Sequence, residues 1–359
     1  MIPNPSKDPQ PAHSALQHLS QVSGQSWQHI FHARKRTREL LNRLQIDLGG
    51  LSNEDASIVV FGSLARQEAT DGSDVDWTLL VDGKADVQHR PMAHRVRRVL
   101  REKGWKQPGP EGIFGDLSFS HQILNFIGGE DDSNANTTRR MLLLLESLPV
   151  GNNSAWEAVR RNLLERYLTE DHGLRSARNQ RSVPLFLLND IARYWRTMVV
   201  DFAYKQRDRE NEGYALRNIK LGLSRKLIYA SGLLACFSCD LKFPEKALFR
   251  SKQAHQAIDE LNLTFKKTPL ELIAELTAPY KALLEPTIRL LTAYDQFLGL
   301  LSDSSHRELL RSLPPSQIDC DPTFEAARTI RNNFGSAILD IFLRIESPIQ
   351  KLMIERGVF

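Results

Sequence analysis

The chain has 359 residues, of which 41% are apolar and 25% are charged, and its net charge is +4. This length and composition are typical of a globular protein with two domains, each with its own core. The small net charge does not by itself indicate a nucleic-acid-binding protein. No apolar run is long enough to cross a membrane, and three cysteines do not make a disulfide framework. We therefore expect a cytoplasmic protein without a signal peptide and without a membrane partner.

The N-terminal residues 1–25 are rich in Pro, Ser, Gln and His and show no sustained apolar period, so we predict a flexible arm. Apolar residues then recur near helical spacing from Trp27 to Leu48, among many basic ones. This pattern predicts an amphipathic helix that packs beside a sheet. A second basic helix is predicted from His94 to Lys103, and its arginine run is more typical of a solvated face than of a nucleic-acid site.

The most informative stretch lies between the two helices, from Ser57 to Asp82. An apolar run that ends at Phe61 predicts a buried strand, and Trp77 to Val81 predicts a second one. The chain between them contains a Gly-Ser pair, a segment with the composition of a short helix (Leu64 to Glu68) and an Asp-Val-Asp triplet. Strand, turn, helix and acidic strand together suggest a phosphate site that faces a metal site.

The residue types support this interpretation. Alternate residues of a strand share a face, so Asp74 and Asp76 would project to the same side while Val75 points into the core. Two close carboxylates repel each other unless a cation lies between them, and hard oxygen ligands suit Mg²⁺. Gly62 allows a close approach of backbone to ligand, and Ser63 adds a hydroxyl donor. A turn followed by a solvated strand edge is the alternative explanation.

Gly62 and Ser63, followed after ten residues by Asp74-Val75-Asp76, resemble the signature of the DNA polymerase β-type nucleotidyltransferases. The longer string GSLARQE…SDVDWTLL is most similar to the branch that contains the nitrogen-regulatory uridylyltransferases. The resemblance is close over residues 57–82 and weaker out to about residue 150. It implies that Asp74 and Asp76 are catalytic metal ligands and that Gly62 and Ser63 contact the triphosphate. We also assign Arg66 to the nucleotide-binding residues.

Sites of this type usually have a third carboxylate on a neighbouring strand. Residues 112–119 could form that strand, with Asp116 as the catalytic ligand. The alternatives are Asp131 and Asp132, which precede a predicted helix from Thr137 to Ser147 and could equally be capping residues. We favour Asp116 slightly over Asp132 because Asp116 lies in the predicted neighbouring strand, but the sequence does not decide between them.

Residues 149–153 predict a domain boundary. The resemblance, together with the helical patterns beyond this boundary, implies an α+β fold class: a nucleotidyltransferase core with a small mixed sheet in residues 26–150, and an all-helical domain in residues 151–359. The pair Cys236 and Cys239 fits buried helix residues better than half of a zinc site. We predict a loop for residues 302–322. Helices are predicted at Ala155–Tyr167, Leu185–Arg207, Tyr214–Phe237, Ala254–Leu261, Thr268–Leu301 (with a break near Pro279 or Pro286) and Phe324–Arg356.

Polar residues form stripes on two of these helices. In the first, residues from Asp190 to Lys205 recur at three- and four-residue steps on a mostly apolar helix, so they need partners, and internal salt bridges are one solution. In the second, Lys220 and Ser224 are four residues apart. They resemble the Lys and Ser that a helical domain often supplies to the triphosphate in the polymerase β-type superfamily. A basic helix that faces solvent is the alternative.

The function expected from these features is Mg²⁺- or Mn²⁺-dependent transfer of a nucleoside monophosphate from an NTP to a hydroxyl acceptor, with release of pyrophosphate. The resemblance favours a protein side chain as acceptor. The same core also serves enzymes that modify tRNA or small molecules or that make nucleotide second messengers, so an RNA acceptor and a role in stress or phage defence stay open. A catalytically silent module that binds a nucleotide or a partner protein is the other class.

Overall fold

The computed structural model describes residues 14–109, 113–171, 183–208, 212–242 and 254–357. These residues form a four-stranded mixed sheet and a large set of helices. The strands are β1 (Ala56–Phe61), β2 (Trp77–Val81), β3 (Leu117–Phe119) and β4 (Ser147–Val150), in the spatial order β3-β2-β1-β4. β1 is antiparallel to β2 and to β4, whereas β2 and β3 are parallel. The predicted α+β fold class is confirmed.

The sheet is buried on both faces because successive residues of β1 belong to different apolar clusters. Ile58 and Val60 pack with residues of α2 (Gln28–Leu48) and α3 (His89–Glu102). Val59 and Phe61 belong to a larger cluster that also contains apolar residues of the C-terminal helices. This second cluster joins the sheet to the helical half, so the Gly-Ser turn after Phe61 lies where the two halves meet.

The remaining helices lie on the sheet or in the helical half. A short α1 (Ala15–Ser23) precedes α2, and α4 (Ser120–Asn125) and α5 (Asn134–Leu145) connect β3 to β4. The other α-helices are α6 (Ser154–Glu170), α7 (Leu185–Asp208), α8 (Tyr214–Lys220), α9 (Lys226–Lys242), α10 (Ala254–Phe265), α11 (Pro269–Thr277), α12 (Leu284–Ser302), α13 (Ser304–Ser312), α14 (Pro322–Leu339) and α15 (Pro348–Leu352). Single π-helical turns span Leu221–Arg225, Asp340–Arg344 and Met353–Gly357, and 3₁₀ turns span Gly49–Leu51, Lys281–Leu283 and Pro315–Cys320.

Three sequence predictions are corrected by this structure. Part of the predicted arm is helix α1, because Leu16 and Leu19 are buried on one of its faces; residues 1–13 lie outside the described residues. Part of the predicted loop 302–322 is helix α13, which Asp303 caps through hydrogen bonds from the backbone amides of Ser305 and His306. Leu64 to Glu68 forms turns rather than a helix.

Other predictions agree with the structure. Cys236 and Cys239 are free thiols, buried in α9 at 0% and 4% exposure. Among the described helices, none is both long and apolar enough to cross a membrane. The division into an arm, a core and a helical domain stays a prediction.

Candidate active site

A polar cavity of about 220 Å³ lies between the Gly-Ser turn and the helical half. Its walls contain seven residues that were predicted as site residues from two distant parts of the sequence: Gly62, Ser63, Arg66, Asp74, Asp76, Lys220 and Ser224. We call this space the DxD cavity. The two predicted patterns, more than a hundred residues apart in the sequence, therefore meet at one site.

The backbone holds the Gly-Ser turn against the acidic triplet. The amide of Phe61 donates to the carbonyl of Asp76 at 2.9 Å, which extends the β1–β2 ladder by one bond. Gly62 then adopts φ +68°, a left-handed conformation that favours glycine. A Cβ on Gly62 would lie 3.3 Å from Oδ2 of Asp76, so a larger residue would press on that carboxylate. Glycine is needed here both for its conformation and for space.

The two aspartates differ in their surroundings. The Asp74 side chain is 41% exposed, and its Oδ1 lies 3.0 Å from the Lys106 ammonium. Asp76 is more enclosed. Burial, assisted by the neighbouring charge of Asp74, raises the pKa of Asp76 to about 6, although Arg225 opposes the shift. A carboxylate with a raised pKa beside a second carboxylate is an arrangement that a bound cation would stabilise.

The donor chemistry of Asp74 and Asp76 fits Mg²⁺, which prefers carboxylate oxygens and keeps positions for water and for substrate phosphates. Within the described part of the chain, no group of three or more His, Cys, Asp or Glu side chains lies close enough together to hold a metal ion. Asp74 and Asp76 are therefore the two carboxylates that the structure brings together here, and substrate and water could supply further ligands.

Arg66 is held by a buried charge network. Its Nε donates to Oε2 of Glu68 at 3.0 Å, and its Nη1 donates to Oε2 of Glu146. Tyr294 also donates to Glu68, at 2.9 Å. Burial alone would lower the pKa of Arg66, but the charges of Glu68 and Glu146 outweigh it and raise that pKa, so the guanidinium stays protonated. Arg66 lines the DxD cavity, and its bonds to both glutamates fix it at the cavity wall.

A π-helical turn, together with the residue that precedes it, supplies three of the side chains that the helical half contributes to the DxD cavity. It spans Leu221–Arg225 directly after α8, and Lys220, Ser224 and Arg225 all line the DxD cavity. In a regular α-helix, Ser224 and Arg225 would point about 40° and about 140° away from Lys220. The wider π turn brings both side chains closer to the face of Lys220. Burial, together with the charges of Arg307 and Arg225, lowers the pKa of Lys220 to about 8.

Two further cations at this cavity were missed by the sequence analysis. Arg225 reaches it while its Nη1 lies 3.1 Å from Oε1 of Glu146. Arg307, from α13, donates to the Thr70 hydroxyl at 2.9 Å and to the Gly72 carbonyl at 2.5 Å. Arg225 adjoins the predicted Lys-Ser pair, which was a usable signal. Arg307 lies in the segment predicted as a loop, so no sequence signal pointed to it.

The candidates for a third carboxylate lie elsewhere. Asp116 immediately precedes β3; its Oδ2 lies 4.0 Å from Arg97, its side chain is 56% exposed, and it does not line the DxD cavity. Asp132 is buried in ion pairs with Arg140 and Arg193. Burial would raise the pKa of Asp132, but the hydrogen bonds from Arg140 and the Gly128 amide outweigh it and lower that pKa. Asp131 also lies outside the lining.

A second cavity of about 470 Å³ adjoins the first and shares Lys220 and Arg225 with it. The polar stripe of α7 is divided between the core and this space. Asp190 accepts hydrogen bonds from Arg140 at 2.8 Å and from the Tyr167 hydroxyl at 2.5 Å, as expected for an internal partner. The later members of the stripe line the second cavity instead: Tyr194, Thr197, Asp201 and Lys205.

The comparison with known proteins is limited to one part of the chain. A search of curated proteins finds no significant match. A family model described as a nucleotidyltransferase domain matches residues 38–108. This segment contains the C-terminal half of α2, the strands β1 and β2, the Gly-Ser turn, both aspartates and α3. The part of the chain that carries the turn and the acidic triplet is therefore similar to the nucleotidyltransferase domains of the polymerase β-like superfamily.

Proposed function

We propose that the protein transfers a nucleoside monophosphate from an NTP to a hydroxyl acceptor and releases pyrophosphate. The observation that carries this proposal is the meeting of Asp74 and Asp76 with Lys220, Arg225 and Arg307 around one polar cavity. Two carboxylates suit a divalent cation, and three cations suit the charge of a triphosphate. The nucleotidyltransferase match over residues 38–108 supports the same class of reaction.

Each group has a role in this proposal. Lys220 and Arg307 would bind phosphate oxygens, with the Ser63 and Ser224 hydroxyls as further donors. Arg225, fixed by Glu146, would hold the phosphate next to the point of attack, where negative charge develops as the leaving group departs. The proton of the attacking hydroxyl would pass to the Asp76 carboxylate or to solvent.

Mg²⁺ or Mn²⁺ would be held by Asp74 and Asp76, and when bound it neutralises phosphate charge and lowers the pKa of an acceptor hydroxyl. The half-exposed position of Asp74 leaves room for ligands from solvent and substrate. Asp116 stays the proposed third ligand, although it would have to turn away from Arg97 to take that role.

We propose a protein side chain as the acceptor, because the sequence around the Gly-Ser turn resembles the nitrogen-regulatory uridylyltransferases. An RNA acceptor is the other possibility that the fold allows. The second function class is a module that binds a nucleotide without transferring it. The observation that favours this class is that Asp116 does not line the DxD cavity.

Release of pyrophosphate tests the proposal. We expect wild-type protein to release pyrophosphate from at least one NTP in the presence of Mg²⁺ and an acceptor-containing lysate, and Asp76→Ala to lose that release. Pyrophosphate release that survives Asp76→Ala would contradict the assignment. Metal-dependent NTP binding without any release would favour the binding module.

A further inference from the structure

The second cavity differs in character from the DxD cavity. The DxD cavity is small and mostly polar, whereas the walls of the second are largely apolar and include Phe114, Met198, Phe202 and Leu221. Its volume of about 470 Å³ lies in the range of small-molecule sites. Apolar and aromatic walls accept the flat faces of a heterocycle, which has little affinity for the charged lining of the first cavity. We call this space the apolar cavity.

The two cavities adjoin each other at two shared residues. Lys220 and Arg225 line both, so phosphate oxygens bound by these cations would lie at the junction. A nucleotide consists of a charged phosphate tail and a flat base. The tail suits the polar DxD cavity, and the base suits the apolar cavity. On the proposed function, the base of the bound NTP would therefore occupy the apolar cavity.

Three polar side chains at this cavity are free to recognise a base. Thr197 and Asp201 lie four residues apart on α7 and so share a face, and Asn134 begins α5 opposite them. All three line both the apolar cavity and an adjoining surface depression, so they form its rim. Within the described residues, no hydrogen bond or ion pair satisfies the Asn134 amide, the Thr197 hydroxyl or the Asp201 carboxylate.

The chemistry of these groups selects among the bases. An ionised Asp201 can only accept hydrogen bonds, while the Asn134 amide and the Thr197 hydroxyl can donate. Guanine presents two adjacent N–H donors, N1–H and the 2-amino group, beside the O6 acceptor. Adenine and cytosine each place a ring-nitrogen acceptor next to their amino group, which would face the carboxylate unfavourably. Uracil has a single N–H between two carbonyls.

We infer that the apolar cavity is a base-recognition site in which Asp201 reads the N1–H and 2-amino edge of guanine, with Asn134 or Thr197 donating to O6. This assignment rests on the proposed function, since it places the phosphates of the nucleotide in the DxD cavity. It makes Asp201 a specificity-determining residue and the substrate class guanine nucleotides. A site built around such hydrogen bonds rejects an analogue that lacks them.

The test is a comparison of nucleotide affinities by calorimetry with Mg²⁺. The ligands are GTP, ATP, UTP, CTP and inosine triphosphate, which differs from GTP only in lacking the 2-amino group. We expect GTP to bind about 10- to 100-fold more tightly than inosine triphosphate and ATP, as for a hydrogen bond to a charged group. Asp201→Asn should remove this preference, whereas Asp208→Asn, a change near the end of the same helix and outside the cavity lining, should retain it.

The outcomes separate the two proposals. Equal affinity for all five triphosphates, or a guanine preference that survives Asp201→Asn, would overturn the base assignment and leave the transferase proposal intact. Absence of binding by every triphosphate would overturn both. Thermal melting of Asp201→Asn serves as the folding control, and we expect it to match wild type because Asp201 is exposed.

Discussion

Arg225 Nη1 lies 3.1 Å from Oε1 of Glu146, a fully buried carboxylate at the junction of α5 and β4. The other oxygen of Glu146 accepts from Arg66, next to the Gly-Ser turn. One carboxylate therefore connects a cation beside the Gly-Ser turn to a cation of the helical half. This geometry fixes the position of Arg225 at the DxD cavity, and it yields the first prediction.

Glu146→Gln should destabilise the protein and weaken NTP binding. The change leaves Arg66 with a single carboxylate partner and releases Arg225, and loss of one member of a buried ion pair typically costs about 3–5 kcal/mol. Denaturant unfolding and calorimetric affinity would measure the two effects. Glu157→Gln is the matched control, because Glu157 pairs with Lys266 at the surface and should change stability by less than about 1 kcal/mol. Equal stabilities of the two variants would contradict this account of Glu146.

Asp76→Asn should stabilise the metal-free protein near pH 7.5 while abolishing activity. The pKa of Asp76 is about 6 in the folded protein and 3.8 without the fold, so the folded state binds the extra proton between these values. The free energy of unfolding of the wild type should therefore fall as pH rises from about 4 to 6, and it should stay at the lower value above pH 6. The expected gain is on the order of 1–3 kcal/mol.

Thermal melting in EDTA across pH 4 to 8 measures the Asp76 effect. The stabilities of Asp76→Asn and wild type should converge toward pH 4, with Asp55→Asn, an exposed substitution before β1, as control. A variant that is less stable than wild type at pH 7.5 would show that burial and the charge of Asp74 do not destabilise the ionised Asp76.

NTP affinity should decrease at alkaline pH because of Lys220. Its pKa of about 8 means that the free protein loses this positive charge above pH 8, whereas bound phosphate would keep it protonated. Affinity should be constant from pH 7 to 7.5 and then fall by up to about tenfold per pH unit. Lys220→Arg should flatten the profile, and Lys220→Met should reduce affinity at pH 7 by about 10- to 100-fold. An unchanged profile in Lys220→Met would place the titrating group elsewhere.

Gly72→Ala should weaken NTP binding through Arg307. A Cβ at Gly72 would collide with the Arg307 guanidinium, which donates to the Thr70 hydroxyl and the Gly72 carbonyl. We expect a several-fold loss of affinity, measured by calorimetry, with hydrogen exchange increased at residues 70–73. Gly50→Ala is the control, since a Cβ there would meet no other atom within 4 Å. If Gly72→Ala binds NTP like wild type, Arg307 does not contribute to the phosphate site.

The sequence was most informative for the part of the site whose residues are close together in the chain. β1, the Gly-Ser turn and β2 are adjacent in the chain and pair as a hairpin, so the alternation around Asp74 and Asp76 could be read directly. The segment Leu64 to Glu68 has helical composition, but its helix does not form; Gln67 adopts φ 59°, outside the helical region. The bonds of Arg66 to Glu68 and Glu146 stabilise the turn instead.

Long-range partners could not be predicted in the same way. Glu146 follows a run of leucines and has no motif around it, and its role depends on Arg66 and Arg225, each about 80 residues away in sequence. Asp132 matched the expected residue type but is paired with Arg140 and Arg193 in the core. Residue type and spacing identify candidates, and only the packing decides which of them reach the cavity.

The most direct test of the central claim is transfer of label from α-³²P NTPs in the presence of Mg²⁺ or Mn²⁺ and host lysate. Wild type should label one fraction among protein, RNA and small molecules, and the Asp74→Ala/Asp76→Ala double variant should label none. A labelled fraction in wild type that is absent in the variant would establish the transferase and give its acceptor class. Label that persists in the double variant, or no label in any fraction despite metal-dependent NTP binding, would contradict it.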